Sequence, residues 1–375
     1  MVEWNILGNL CEIGTGSNNR EDACDNGLYP FFVRSKEVLR IDSYLYDEEA
    51  VLIPGEGGVG DIFHYINGKY GLHQRTYRVH PISTKVSGRY LFYYLSGNFK
   101  SYINSKSYKA TAASIRKPML IGFPIALPVV EEQKRIVDIL DTFTASIYNL
   151  KQQIVQRRKQ YEYYRDQLLN LEGKEGVEMK TIKDVCRKIC SGGTPSTSKH
   201  EYYGGSIPWL RTQEVDWKEI YDTEIKITEE AIANSSAKII PANCVIVAMY
   251  GATAAKVAIN KISLSTNQAC CNLEIDFQKA LYKYVFHWLC KEYLNLKSMG
   301  EGSQNNINGQ KVKDYPIPIP PLSDQQRIVS ILDTFEASIQ NLEAQLSQRE
   351  KQYEYYRNKL LTFELSLIKA KNKRL

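Results

Sequence analysis

A chain of 375 residues with a formal net charge of +6 has room for two domains with proper cores, and its mild basicity permits nucleic acid as a partner without requiring it. Its eight cysteines (Cys11, Cys24, Cys186, Cys190, Cys244, Cys270, Cys271, Cys290) contain no CxxC pair and no zinc spacing with the five histidines, pointing to an intracellular protein with reduced, mostly buried thiols. No basic-then-apolar leader opens the chain and no apolar run approaches the length of a membrane span, so a soluble, cytoplasmic protein is expected.

The first segment runs from Met1 to about Val130 and mixes short apolar runs with turns. Tyr29–Val33, Ala50–Ile53, Tyr77–Val79 and Tyr90–Tyr94 read as strands or short buried elements. From Ile62 to Val130 there is no Asp or Glu, while Lys69, Arg75, Arg78, Lys85, Arg89, Lys100, Lys106, Lys109, Arg116 and Lys117 all fall there, interleaved with tyrosines. A one-sign run repels itself, and a polyanion would relieve it, so DNA phosphate contact is expected here. Gly55-Glu-Gly-Gly-Val-Gly60 matches GxGxxG after a strand-like Val51–Ile53. A dinucleotide or S-adenosylmethionine site needs a helix opening at the last glycine. The next stretch, Asp61–Gly68, alternates like a hairpin strand, so the glycines are assigned to a tight loop.

Next comes Gln133–Leu169, QKRIVDILDTFTASIYNLKQQIVQRRKQYEYYRDQLL, which returns as Gln325–Leu361 with roughly two thirds of positions identical and no gap. Apolar residues recur at alternating four–three steps. They are Ile136, Leu140, Phe143, Ile147, Leu150 and Ile154 in the first copy, and Ile328, Leu332, Phe335, Ile339, Leu342 and Leu346 in the second. Arg157 and Arg349 fill the one gap in each copy. This is a coiled-coil seam. Two helices of about 36 residues, roughly 54 Å each, are expected to pair antiparallel within the chain. Prolines precede both helices, Glu131 and Glu132 suit the positive end of the first, and Ser323 with Gln326 reads as a capping box for the second. The block Lys-Gln-Tyr-Glu-Tyr-Tyr-Arg, at 159–165 and 351–357, includes positions facing away from the seam. Its Tyr161, Tyr163, Arg165, Tyr353, Tyr355 and Arg357 are candidates for docking a partner that touches both copies.

The second segment, about Val177 to Pro321, repeats the plan with other residues. Lys183–Arg187 parallels Gly8–Glu12, Val245–Val247 with Gly251–Ala255 parallels Val51–Ile53 and its glycine loop, and Asn267-Gln268 falls where His73-Gln74 would. Ser191-Gly-Gly-Thr-Pro-Ser196 and the amide cluster Ser303–Asn308 are polar loops. Gln and Asn can bond adenine bidentately and Arg guanine, so such loops suit base-edge readout, though amide-rich loops are as often only loops.

Two variable segments, each leading through a Pro-Ile-Pro-type linker into a repeated helix, resemble the specificity subunit of Type I restriction–modification systems. The carrying residues are Ile317-Pro-Ile-Pro-Pro-Leu322 running into Gln325–Val329, and Ser191–Ser196 leading to Gly204-Gly-Ser-Ile-Pro-Trp209; Leu127-Pro-Val-Val130 departs from the linker pattern. The resemblance covers essentially the whole chain. It implies an α+β fold of two globular α/β target-recognition domains separated by two long antiparallel helices, with a pseudo-two-fold repeat. It also implies a protein with no chemistry of its own that binds double-stranded DNA at a split, asymmetric site, docks two methyltransferase (modification) subunits, and is joined by ATP-driven restriction subunits. The expected divisions are residues 1–128 and 174–321 for the recognition domains, with 129–173 and 322–375 for the helices and a basic tail.

Candidate DNA-contacting residues are Arg34, Lys36, Lys69, Gln74, Arg75, Arg78, Lys106, Lys109, Arg116 and Lys117 in the first segment. In the second they are Thr194, Ser196, Lys199, Arg211, Thr212, Gln213, Lys256, Asn267, Gln268, Gln304, Asn305 and Asn306. No GxxxxGK[ST] loop and no Asn-Pro-Pro-aromatic stretch occurs, so no catalytic, metal or cofactor-binding residue is expected. Two other readings stay open from the residues alone: a self-contained DNA methyltransferase or nuclease, and a coiled-coil adaptor.

Overall fold

The apolar runs of the first segment fold as strands wherever they alternate, as the computed structural model shows; it describes residues 2–106, 114–301 and 306–363. The strands are β1 (Glu3–Ile6), β2 (Cys11–Thr15), β3 (Tyr29–Phe32), β4 (Val38–Ile41), β5 (Tyr46–Pro54), β6 (His64–Leu72) and β7 (Thr76–Pro81). Helices α1 (Gly88–Lys106) and α2 (Lys117–Ile121), strand β8 (Pro124–Leu127) and the long helix α3 (Val130–Leu168) come after them. One sheet has the order β2-β7-β5-β6-β3-β4, with β3 parallel to β6 and the other pairs antiparallel, and β1 pairs antiparallel with β8.

The second segment supplies β9 (Glu178–Thr181), β10 (Cys186–Ser191), β11 (Tyr203–Leu210), β12 (Glu219–Ile220), β13 (Ile225–Ile227), α4 (Glu229–Ala233) and β14 (Ile239–Ile240). It continues with β15 (Val245–Ala248), β16 (Val257–Asn260), β17 (Leu264–Thr266), β18 (Cys270–Ile275), α5 (Tyr282–Lys291), α6 (Tyr293–Ser298), α7 (Gly309–Lys313), β19 (Pro316–Ile319) and the second long helix, α8 (Leu322–Leu361). Its sheets run β10-β18-β15-β16-β12 and β13-β11-β17-β14, with β9 paired to β19. The topology repeats. Strands β10, β18 and β15 stand as β2, β7 and β5 do, and β11 runs parallel to β17 as β3 does to β6.

The chain divides into two compact units, Met1–Lys151 with Ala344–Leu375, and Gln152–Glu343. Each long helix therefore gives half its length to each unit. In the first unit the start of α3 buries Ile136 and Leu140, and the end of α8 buries Leu361, in a core with Tyr90, Leu91, Tyr94 and Phe99 of α1. In the second the start of α8 buries Ile328 and Leu332 in a core with Tyr284, Val285 and Leu289 of α5, closed by Leu169 and Leu171 just past α3. Full burial of a Leu or Ile is worth about 1.5–3 kcal/mol, so these contacts bind each helix start firmly to its own unit.

Antiparallel packing of the helices is visible within each unit. In the first, Phe143 stacks on Tyr356 at 5.3 Å, Arg349 lies over the Phe143 ring, and Lys151 pairs with Glu350. In the second, Tyr164 stacks on Phe335 at 5.3 Å, Arg157 lies over Phe335, and Arg158 pairs with Glu343. The arginines at the gaps of the heptad thus cover aromatic seam residues, which explains their place in an otherwise apolar stripe. The remaining seam positions differ in burial: Ile154 is buried, while Ile147, Leu150, Ile339, Leu342 and Leu346 are half-buried.

Two expectations are corrected. Tyr90–Tyr94 is helix, because Tyr90, Tyr94 and Leu91, Leu95 recur at the helical spacing and face one core. Ser323 does not cap α8, which begins one residue earlier at Leu322, directly after Pro320-Pro321. The helix start is held by a buried glutamine. The Gln133 amide accepts from Ser87 N at 3.1 Å and donates to Lys85 O and Pro128 O; Gln325 accepts from Leu281 N at 2.9 Å and donates to Lys279 O and Pro320 O.

Candidate nucleic-acid interface

In the first unit four polar loops meet. The chain after β2 comes to the β6–β7 turn through Asn18 N to Leu72 O, the end of β3 through His73 N to Phe32 O, and the glycine loop through Gly55 N to Arg75 O. The turn closes itself with Thr76 N to His73 O, and Ile115 N donates to Gly55 O. Gly57, Gly58 and Gly60 have positive φ, and β6 rather than a helix comes after them, so the GxGxxG match is a turn.

The second unit builds the same frame from unlike residues. The corresponding bonds are Gly193 N to Thr266 O, Asn267 N to Leu210 O, Met249 N to Ala269 O, Cys270 N to Asn267 O and Ile307 N to Met249 O. Close approach demands small residues at one corner in both: a Cβ on Gly16 would collide with Leu72 O, and one on Gly192 with Thr266 O.

On the first frame sit Arg34, Gln74 and Arg75. Glu56 bridges the two guanidiniums at 3.2 and 2.9 Å, and hydrogen bonding from Arg75, then Arg34, holds its carboxyl below the usual range against a partial burial penalty. One carboxylate between two guanidiniums leaves the cluster net positive. His73 beneath is buried, which lowers its pKa, and the adjacent arginines lower it further; its Nδ1 accepts from Arg75 N, as the neutral ring must. Lys36, two residues after Arg34, is exposed, Lys69 lies on β6 with its ammonium over Tyr44, Lys106 ends α1, and Arg116 and Lys117 open α2.

On the second frame sit Thr194, Arg211, Thr212, Asn267, Gln268 and Asn306. Arg211 pairs with Glu224 at 2.5 Å, Thr253 Oγ1 donates to Thr212 O, the Asn267 amide oxygen accepts from Cys270 Sγ, and Asn306 Oδ1 accepts from Gly251 N. Lys256 pairs with Asp216 at 2.6 Å and lies over the half-exposed Trp217 ring, whose residue adopts φ 47°. Gln213, Ser196 and Lys199 are exposed; Ser196 bonds Ser198, and Lys199 donates to the Tyr202 hydroxyl.

The acid-free run is not a free cationic face, and Arg78 is the clearest correction. It is buried, paired with Glu12 and Glu48 and stacked on Tyr46. Lys85 pairs with Glu3, Arg89 with Asp141 and Lys100 with Asp61. The anions come from elsewhere in the chain, where a linear count of charge does not reach. Lys109, Gln304 and Asn305 lie outside the described residues.

The repeated block divides likewise. Tyr161 and Tyr353 turn inward and pack, partly buried, against the cores of their own units, with Arg165 and Arg357 over their rings. Tyr163 and Tyr355 are 61% and 59% exposed. Sequence reasoning missed the joint between each long helix and its unit. In the first unit Asp141 takes hydrogen bonds from Arg89 and Tyr93; in the second Asp333 takes them from Lys283 and His287, with Glu336 and Tyr161 on the other side of the imidazole. The signal was present: Asp141 and Asp333 hold the same place in the repeat.

Twice-built α+β units with polar loop clusters, sharing two long helices, define a duplicated binding protein. The chain belongs to the Type I restriction modification DNA specificity domain family, whose model matches residues 1–157 and again 174–350. It is 38% identical over 243 residues to the EcoR124I/EcoR124II specificity subunit of Escherichia coli, a match spanning 62% of this chain and 59% of that protein. To the EcoDI specificity subunit of the same organism it is 25% identical over 92% of this chain and 84% of that one. The fold is similar to that of the S subunit of the M. genitalium Type I restriction-modification system, with TM-score 0.68 over 97% of each chain at 14% identity. Among the described residues no helix is long and apolar enough to cross a membrane.

Proposed function

We propose that this chain is the DNA-specificity subunit of a Type I restriction–modification assembly. Each unit reads one half of a split, asymmetric duplex site, and α3 and α8 set the number of unread base pairs between the halves. The exposed faces carrying Tyr163 and Tyr355 dock two modification subunits, and restriction subunits complete the nuclease. The chain itself performs no methyl transfer and no cleavage, needs no cofactor, and works in the cytoplasm. The recognition domains are residues 1–128 and 174–321, completed by the ends of the helices.

The observation that carries this reading is the doubled loop frame: one set of main-chain bonds, built twice, presenting Arg34, Gln74 and Arg75 in one unit and Thr194, Arg211 and Gln268 in the other. A constant frame with unlike side chains suits reading two different half-sites. The test is methylation mapping of DNA exposed to the chain together with modification subunits. The expected result is one bipartite motif with unequal halves, no methylation by the chain alone, and duplex affinity that falls steeply with salt. Methyl transfer by the lone chain, or binding indifferent to salt, would reject the proposal.

A further inference from the structure

Resting on that reading, we infer that Gln74 and Gln268 are base-specifying residues, each contacting the major-groove edge of one adenine, one in each half-site. The two residues occupy one position of the doubled frame. Each comes directly after the residue whose N–H reaches the last residue of the parallel strand (His73 to Phe32 O, Asn267 to Leu210 O) and precedes the one whose carbonyl takes the bond from the glycine loop or its counterpart. Their neighbours differ, His73 and Arg75 in one case and Asn267 and Ala269 in the other, yet the glutamine is the same.

Folding does not require it. Main-chain bonds close both turns, and both side chains are exposed. Each amide is nonetheless tethered by a residue at one equivalent place. Gln74 Nε2 donates to Asn19 Oδ1 at 2.7 Å, and Thr194 Oγ1 donates to Gln268 Oε1. Asn19 and Thr194 stand directly after Asn18 and Gly193, whose N–H groups make the matching bonds to Leu72 O and Thr266 O. A tether lowers the rotamer entropy lost when a long side chain meets a ligand. In both units it leaves at least one N–H and at least one carbonyl lone pair unused. Adenine alone presents an acceptor (N7) beside a donor (N6) on the major-groove edge; guanine presents two acceptors, which an amide oxygen cannot take.

The experiment uses the full chain in complex with its modification subunits and selects from a duplex library of random sequence. Q74A should relax one adenine position in one half-site, with selectivity there falling about 5- to 150-fold, and leave the other half intact. Q268A should do the same to the other half. Q74E, which can only accept, should move the preference at that position to cytosine, whose N4 donates. Unchanged motifs in both alanine variants would overturn the inference, as would relaxation at a base other than adenine. So would loss of the folded state, since that would make these side chains part of the scaffold. A wild-type complex selecting no bipartite motif would instead reject the DNA reading itself.

Discussion

Replacing Gln133 with alanine removes three hydrogen bonds at a site with no solvent access. The lost amide accepts from Ser87 N at 3.1 Å and donates to Lys85 O at 2.7 Å and Pro128 O at 3.0 Å. The partly buried Ser87 N–H and Lys85 carbonyl and the buried Pro128 carbonyl lose their partner, and a cavity the size of the missing amide is left. An unsatisfied buried group costs about 1–3 kcal/mol, with the carbonyls near the low end because water or a second donor serves them more readily. The expected loss is about 3–5 kcal/mol, a fall of roughly 6–20 °C in the unfolding midpoint for a unit of this size. Gln325→Ala strands Leu281 N, Lys279 O and Pro320 O in the second unit and should cost a similar amount there. Thermal unfolding of the full chain, with hydrogen exchange to tell which unit opens, measures both. A cost under about 0.5 kcal/mol for either variant would refute the argument that these glutamines fasten the helix starts.

At the second unit's joint, burial raises the pKa of Glu336 above 4.5, outweighing the opposing pull of His287 and Tyr161, so its contribution to stability is present in acid and lost as pH rises through the folded pKa. E336Q should therefore unfold at higher temperature than wild type at pH 7, with the gain vanishing toward pH 4; a gain independent of pH would contradict this. Asp333 behaves oppositely: burial pushes it up, but hydrogen bonds from His287 and Lys283 outweigh that and hold it below 3.8. Its stabilisation is present above 3.8 and lost as pH falls through the folded pKa, so D333N should destabilise at pH 7 and converge on wild type in strong acid. Exchanging the exposed Tyr163 and Tyr355 for alanine should leave melting within about a degree while weakening capture of modification subunits in a pull-down, whereas Tyr161→Ala should destabilise the second unit by about 3 kcal/mol or more. Inserting one heptad at matched points of α3 and α8 adds about 10.5 Å of helix and should lengthen the unread spacer by no more than about three base pairs at 3.4 Å each; an unchanged spacer in the mapped methylation motif would rule out the helices as its ruler.

Much of this protein is written in its linear order. The four–three spacing from Ile136 to Leu168, repeated from Ile328 to Leu360, is enough to specify two long helices, because a helix presents one face at that period whatever surrounds it. The parallels between Lys183–Arg187 and Gly8–Glu12, and between Gln268 and Gln74, disclose the duplication without any coordinate, and the alternation after Gly60 distinguishes a strand from a nucleotide-binding helix. What the linear order withholds depends on groups distant in sequence. Arg78 sits in a run without acids and still finds Glu12 and Glu48 across the sheet, and Tyr90–Tyr94 belongs to a helix because the core beneath α1 needs its three–four face. The division of each long helix between two units, and the inward turn of Tyr161 and Tyr353 against the cores of those units, are likewise decided by tertiary packing. Periodicity is a local property and survives in one dimension; ion pairing and burial are settled by which surfaces meet, and only the folded chain brings them together.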